Sequence, residues 1–234
     1  MSTKIFYSIA GIFLLFSITM FLFPQIDLAI SGFFYQPQRG FLLTQYYESF
    51  HLGIFRDVLV YITSGFIILL TLLLIIGVLF KNLTLPVQPK VCLFLLLCFA
   101  IAPILVVNGV FKNHWGRARP HQVQQFGGNE TFTPAWVIGT QCQTNCSFPS
   151  GETANVFCYL ALLFVVRRKT LIATIVLTIA FLTAFERIGQ GDHFFSDTMI
   201  SGLIDYLLIW LIYQACHPKE LFISTIGANH VSQP

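Results

Sequence analysis

The chain has 234 residues, 56% of them hydrophobic and only 10% charged, with a mean hydropathy of +0.75. A soluble domain carries about 25% charged residues, so this composition excludes a water-soluble core and makes a bilayer the solvent. The net charge of +3, with no basic run beyond Arg167-Arg168-Lys169, excludes a nucleic-acid interface.

Lys4 is followed by an apolar run from Ile5 to Phe23. The run is long for a signal-peptide core, and Ile26-Asp27-Leu28 follows it in place of an A-x-A-like cleavage site, so it reads as a retained membrane helix over 5–23. A membrane helix needs about 20 apolar residues, and further runs predict helices over 58–80, 91–111, 151–166, 170–186 and 194–216. The fourth and fifth are short and are separated only by the Arg167-Arg168-Lys169 hairpin. Residues 24–57 form an aromatic-rich loop with an interfacial helix around Tyr46–Phe55. Phe80 to Lys90 is a short loop holding Pro86 and Pro89, and Lys112 to Ser150 is a long loop with turns at Gly127-Gly128 and Pro134. The expected fold is all-α: a polytopic six-helix transmembrane bundle, a single membrane-embedded domain over 1–234, with a long loop on one side.

Six crossings put both termini on one side. That side holds Lys4, Lys81, Lys90, Arg167, Arg168, Lys169 and Lys219, and the other holds Arg39, Arg56, Lys112, Arg117, Arg119 and Arg187. Four of the second set lie in stretches whose chemistry explains them. Setting those aside leaves seven cations against two, which places the termini in the cytoplasm. The same parity brings the ends of the third and fifth helices and the starts of the fourth and sixth to the outer face.

Those helix ends carry the polar chemistry. Lys112 and Arg119 flank one stretch, Pro149-Ser150-Gly151-Glu152 is the second, and Arg187, His193 and Asp197 mark the third. Three cations suit the oxygens of a phosphate ester, Arg as a planar fork and Lys as a point charge. Taken alone, Lys112 and Arg119 also fit interfacial snorkelling. Ser150-Gly151 before a helix is an anion cradle or simply a cap. Glu152 at a helix start complements the dipole; beside a phosphate it would repel the ligand if ionised, and would donate a proton to the leaving group if protonated. His193 and Asp197 are spaced i,i+4, which on a helix puts both on one face, with Asp197 fixing the tautomer and His193 left as nucleophile. An ionisable group one turn into an apolar segment is costly and usually functional. The arrangement requires no metal and no cofactor. Cys92, Cys98, Cys158 and Cys216 read as core residues. Cys142 and Cys146 lie in the long outer loop as a disulfide, as two free thiols, or as half of a zinc site with His114 and His121.

Lys112-x6-Arg119-Pro120, Pro149-Ser150-Gly151 and Arg187-x5-His193-x3-Asp197 together resemble the signature of the type 2 phosphatidic acid phosphatase superfamily. The resemblance spans 112–197 by motif. It implies a metal-independent phosphatase working through a phosphohistidine intermediate. His193 would be the nucleophile and Asp197 its partner, with Lys112, Arg119, Arg187, Ser150 and the Gly151 amide on the phosphate. The family usually has histidine, the acid for the leaving group, where this chain has Glu152. Glu152, His114 or water is left to fill that role, with Arg117 a further auxiliary. Val107 to Arg117, Gln141 to Phe148 and Gln190 to Asp197 look like the bacterial lipid A 4′-phosphatases, a subgroup that likewise departs from histidine at the position of Glu152. The resemblance implies a multi-pass protein of the bacterial inner membrane with its site facing the periplasm. Its partner would be a membrane lipid substrate in the bilayer, with no nucleic acid and no protein partner. Three alternatives are a phosphatase for another lipid (lipid A 1-phosphate, phosphatidylglycerophosphate, undecaprenyl pyrophosphate), a catalytically silent lipid-binding relative, and a small transporter. The transporter is disfavoured because the polar residues gather at one face and not at the midplane.

Overall fold

The computed structural model describes residues 3–44 and 53–216. Residues 46–52 of the expected interfacial helix, and Lys219, lie outside the described residues. The chain forms an all-α membrane bundle with one small hairpin. In order come α1 (Thr3–Leu22), the short α2 (Gln25–Gly32), strands β1 (Tyr35–Gln36) and β2 (Gly40–Phe41), and α3 (Gly53–Leu79). Then follow α4 (Pro89–His114), α5 (Gly151–Phe164), α6 (Lys169–Gly189) and α7 (Phe195–Ala215). Among the described residues, α1, α3, α4, α6 and α7 are long and apolar enough to cross a membrane, and α5 is the shorter sixth. The second half of α5, Cys158–Phe164, winds as a 3-10 helix. Its rise of about 2.0 Å per residue stretches these 14 residues to about 24 Å, most of a hydrocarbon core of about 30 Å.

Helices α7 and α4 are central, with 61% and 50% of their apolar windows buried, against 6% for α1 and α3. The main core lies where α4, α5, α6 and α7 meet, around Phe94, Phe99, Phe164, Ile209 and Tyr213. Gly202 of α7 is part of the reason they fit: a Cβ there would strike the ring of Phe157 on α5. At the other end, Trp115, Trp136 and Phe148 pack with Phe111 and pin the long loop to the helix ends.

Pro103 inside α4 lacks an N–H and crowds the preceding turn. The helix widens there into a π-form over Ala100–Phe111, and the Asn108 amide donates to the Pro103 carbonyl at 2.7 Å. The widened turn presses Asn108 against the start of α5, where any Cβ on Gly151 would run into its amide.

The hairpin was not expected from the sequence. Tyr35 pairs with Phe41 and Gln36 with Gly40, and Gly40 turns the chain at φ +76°. The hairpin and the residues after it lie on the turn that ends α6. A Cβ at Gly189 would meet Leu43 and Phe34, one at Gly191 would meet Phe41, and Thr44 donates to the Gln190 carbonyl at 3.0 Å.

Candidate active site

Four helix ends bring the three stretches together. Lys112 sits on the last turn of α4, Glu152 on the first turn of α5, Arg187 on the last turn of α6, and His193 just before α7. His193 is fully buried. Its Nε2 faces Glu152 Oε2 at 3.3 Å. Glu152 also lies 3.9 Å from Lys112 Nζ and 3.9 Å from Arg187. A second carboxylate, Asp192, pairs closely with Arg187 and reaches Arg119 at 3.2 Å. Two carboxylates therefore thread three cations into a cradle around one imidazole nitrogen.

The tautomer follows from the other nitrogen. His193 Nδ1 lies 2.6 Å from the Ser147 carbonyl. A carbonyl only accepts, so Nδ1 carries the proton, and in the neutral ring Nε2 holds a lone pair. The expected direct bond to Asp197 is absent: its Oδ2 is 3.7 Å from Nδ1, beyond hydrogen-bond reach. The reason is that His193 lies outside the helix. Phe194 is the N-cap, with extended φ −76° and ψ 161°, so helical i,i+4 spacing does not apply to the pair. Asp197 instead takes the Phe194 N–H at 2.8 Å and the Ser147 hydroxyl at 2.6 Å. Ser147 thus links the two, its hydroxyl donating to Asp197 and its carbonyl accepting from His193.

Behind Asp197 lies a fully buried charge cluster that the sequence reading missed. Arg117 Nη1 donates to Asp197 Oδ1 at 2.5 Å and Nη2 to Asp27 Oδ2 at 2.8 Å. Its Nε donates to the Thr133 carbonyl at 2.8 Å. Asp27 also accepts from the Ser196 N–H at 2.8 Å and the Ser196 hydroxyl at 2.5 Å. The guanidinium lies 4.3 Å from the Phe194 ring centroid, a cation–π contact. Burial disfavours the charge on Arg117, but the facing Asp197 and Asp27 outweigh it and raise its pKa above the ordinary value. Arg117 is therefore set in the core and does not line the cradle. The one signal for Asp27 is an acid set among apolar residues just after the first membrane run.

Ser150 is the N-cap of α5, its Oγ accepting from Thr153 N at 3.4 Å and Thr153 Oγ1 at 2.6 Å. Both bonds use oxygen lone pairs, so the hydroxyl proton remains for a ligand. Gly151 opens the helix, where the first N–H groups have no intrahelical acceptor. His114 is exposed, with Nδ1 on the Val110 carbonyl at 2.8 Å; among the described residues, none of the cradle's ion pairs includes it. Cys142 and Cys146 form a disulfide with Cα atoms 5.6 Å apart. The small loop holds Asn145 in a left-handed conformation, φ +51°. There its side-chain oxygen accepts from Lys112 Nζ at 3.2 Å and its carbonyl from Arg119 at 3.0 Å. Among the described residues, no group of three or more His, Cys, Asp or Glu is placed to hold a metal ion.

Residues 92–220 match the family model of the PAP2 superfamily. The chain is 34% identical over 228 residues to a lipid A 4′-phosphatase of Francisella tularensis subsp. novicida (strain U112), covering 92% of this chain and 98% of the relative. It is 41% identical over 107 residues to a lipid A 4′-phosphatase of Rhizobium leguminosarum, covering 44% of this chain and 45% of that one. The crystal structure of a transmembrane PAP2-type phosphatidylglycerolphosphate phosphatase from Bacillus subtilis resembles the fold with a TM-score of 0.50, at 23% identity over 90% of this chain and 94% of that one.

Proposed function

The chain belongs to the PAP2 superfamily, and from that premise we propose that it is a membrane phosphatase removing the 4′-phosphate of lipid A. The observation that carries this reading is the cradle: three cations gathered on one buried imidazole whose outer nitrogen holds a lone pair. In this reading His193 Nε2 attacks phosphorus, the phosphorus–oxygen ester bond breaks, and the sugar oxygen leaves. Lys112, Arg119 and Arg187, with the Ser150 hydroxyl and the Gly151 N–H, take the charge on the phosphoryl oxygens. Water then cleaves the phosphorus–nitrogen bond and frees the histidine. In this reading Glu152, the carboxylate beside Nε2, must first take up a proton in order to supply the one that the leaving alkoxide needs. Asp197 acts through Ser147 to keep Nδ1 a donor. No step asks for a metal.

A lipid substrate is supported by a cavity of about 260 Å³ that shares Glu152 and Arg187 with the cradle and is lined mostly by apolar side chains such as Leu59, Val156, Tyr159 and Ile179, with Arg56, Thr63, Asn155, Thr183 and Glu186 also on its wall. The gathering of Lys112, Gly151, Arg187 and His193 at one end of the bundle, with the cation count between loops, supports an inner-membrane protein with cytoplasmic termini and a periplasmic site. The test is phosphate release from lipid A in mixed micelles by the purified protein in the presence of a chelator. Turnover is expected, and His193→Ala should abolish it. Full activity in that variant would sink the mechanism. Release from phosphatidic acid or undecaprenyl pyrophosphate but not from lipid A would redirect the substrate.

A further inference from the structure

Two cations on the site side of the membrane, Arg39 and Arg56, belong to none of the three motif stretches. Both line one cavity of about 620 Å³, together with His121, Arg187, Gln190 and Asp192. Arg187 and Asp192 are also members of the phosphate cradle, so the two spaces share a wall.

The cavity is built and not incidental. Arg39 lies in the turn of the β1–β2 hairpin, whose closing bond runs from its N–H to the Gln36 carbonyl at 3.0 Å. The hairpin is held on the catalytic turn by the Phe41–Gly191 and Leu43–Gly189 contacts. Its other side packs on the long loop through Tyr35, Phe41 and Phe126, with ring centroids 5.3–5.4 Å apart. That loop brings His121, whose N–H and Nδ1 both bond to the Gly191 carbonyl, at 3.0 and 2.9 Å. Arg56 enters from α3. Its pairing with Asp57 is a neighbour contact at 3.4 Å between half-exposed side chains, too solvated to retain it against a better anion.

We propose that this cavity binds a second phosphate on the same substrate molecule, that of a bis-phosphorylated glycolipid head group, with Arg39 and Arg56 as its ligands. The inference rests on the lipid A reading above. The head group of lipid A is a disaccharide with a phosphate on each sugar. When the 4′-phosphate sits among Lys112, Arg119 and Arg187, the disaccharide extends along the shared wall, past Gln190 and His121, toward the two arginines. A doubly charged anion then meets two guanidiniums able to take it by paired bonds. A lipid with a single phosphate brings them no second anion. Arg39 and Arg56 are thus specificity-determining residues and take no part in bond breaking.

The experiment compares two substrates in the same micelles: bis-phosphorylated lipid A, and lipid A carrying only the 4′-phosphate. For the parent protein, Arg39→Gln, Arg56→Gln and the double variant, the readout is the ratio of kcat/KM for the first over the second. The ratio should exceed one in the parent, fall severalfold in each single variant, and fall about tenfold or more in the double. The loss should sit in KM and be partly restored by Lys at both positions. Raising salt should lower the parent's ratio toward that of the double variant. A ratio unchanged by the substitutions, with lipid A still dephosphorylated, would overturn the second-phosphate site alone. No phosphate release from either lipid by the parent would overturn the functional reading and this inference with it.

Discussion

Arg117→Met is the most demanding test of the architecture behind the histidine. The guanidinium is fully buried and donates to Asp197, Asp27, Ser196 and Thr133. Removing one partner of a buried ion pair costs about 3–5 kcal/mol, because the other charge is left uncompensated. Here two carboxylates are left, facing each other across the space that Arg117 filled, so the cost lies at the upper end of that range. For a chain of this length, 1 kcal/mol moves the unfolding midpoint by about 2–4 °C, so a cost of about 5 kcal/mol gives a drop of about 10–20 °C. Asp27→Asn should cost less, about 1–3 kcal/mol, because Asp197 still neutralises Arg117 and only one hydrogen bond is mismatched. The double variant carries the decisive sign: with Arg117 gone, Asp27→Asn removes one of the two orphaned charges. It should therefore be more stable than Arg117→Met alone, a clear departure from additivity. The assay is thermal unfolding of the detergent-solubilised protein, with turnover measured well below the midpoint. Turnover should also fall in Arg117→Met, because Asp197 and through it Ser147 and His193 lose their anchor. An Arg117→Met midpoint within about 2 °C of the parent, or strictly additive losses, would refute the reasoning.

Cys142→Ser with Cys146→Ser should leave the protein folded, since closing so short a loop contributes only about 2 kcal/mol, while loosening Asn145; both thiols in the parent should resist alkylation until reduced. Asn145→Ala should raise KM about fivefold with little change in midpoint, since it removes the one side-chain hydrogen bond, of about 1 kcal/mol, that positions Lys112; an unchanged KM would remove Asn145 from the site. Glu152→Gln should slow release from a sugar phosphate, whose alkoxide needs a proton, far more than release from an aryl phosphate; equal losses on both substrates would make Glu152 a helix-start residue only. Reporter fusions at Lys169 and Gly128 should report opposite compartments, with Gly128 outside, and a cytoplasmic signal at Gly128 would overturn the sidedness.

The membrane bundle was legible because hydropathy is local: an apolar run of about 20 residues declares itself wherever it occurs. The convergence of Lys112, Glu152, Arg187 and His193 followed from counting crossings, which needs no knowledge of packing. What escaped had one of two causes. The partner of His193 Nδ1 is the Ser147 carbonyl, and a backbone group leaves no mark in a sequence. The i,i+4 rule pointed at Asp197 instead, because the sequence does not say that the helix begins two residues after His193. Asp27 escaped because its partner lies 90 residues away, and nothing local distinguishes a buried acid from an interfacial one.

Arg117 and Arg119 show how fine that limit is. They sit two apart in Gly116-Arg117-Ala118-Arg119-Pro120, and in an extended segment residues two apart share a face. Here Arg117 turns into the core toward Asp27 and Asp197, while Arg119 reaches Asp192 and the Asn145 carbonyl. The chain separates them with a sharp entry. Gly116 adopts φ +65°, and the Gly139 carbonyl passes so close that no Cβ fits there. Gly116 also receives the Cys142 N–H on its own carbonyl at 3.2 Å, which ties the turn to the disulfide loop. Gly116 thus fixes the entry of the segment that carries Arg117 into the core and Arg119 to Asp192. Loss of Arg119 should be felt in substrate binding, and loss of Arg117 in whether the histidine is held at all.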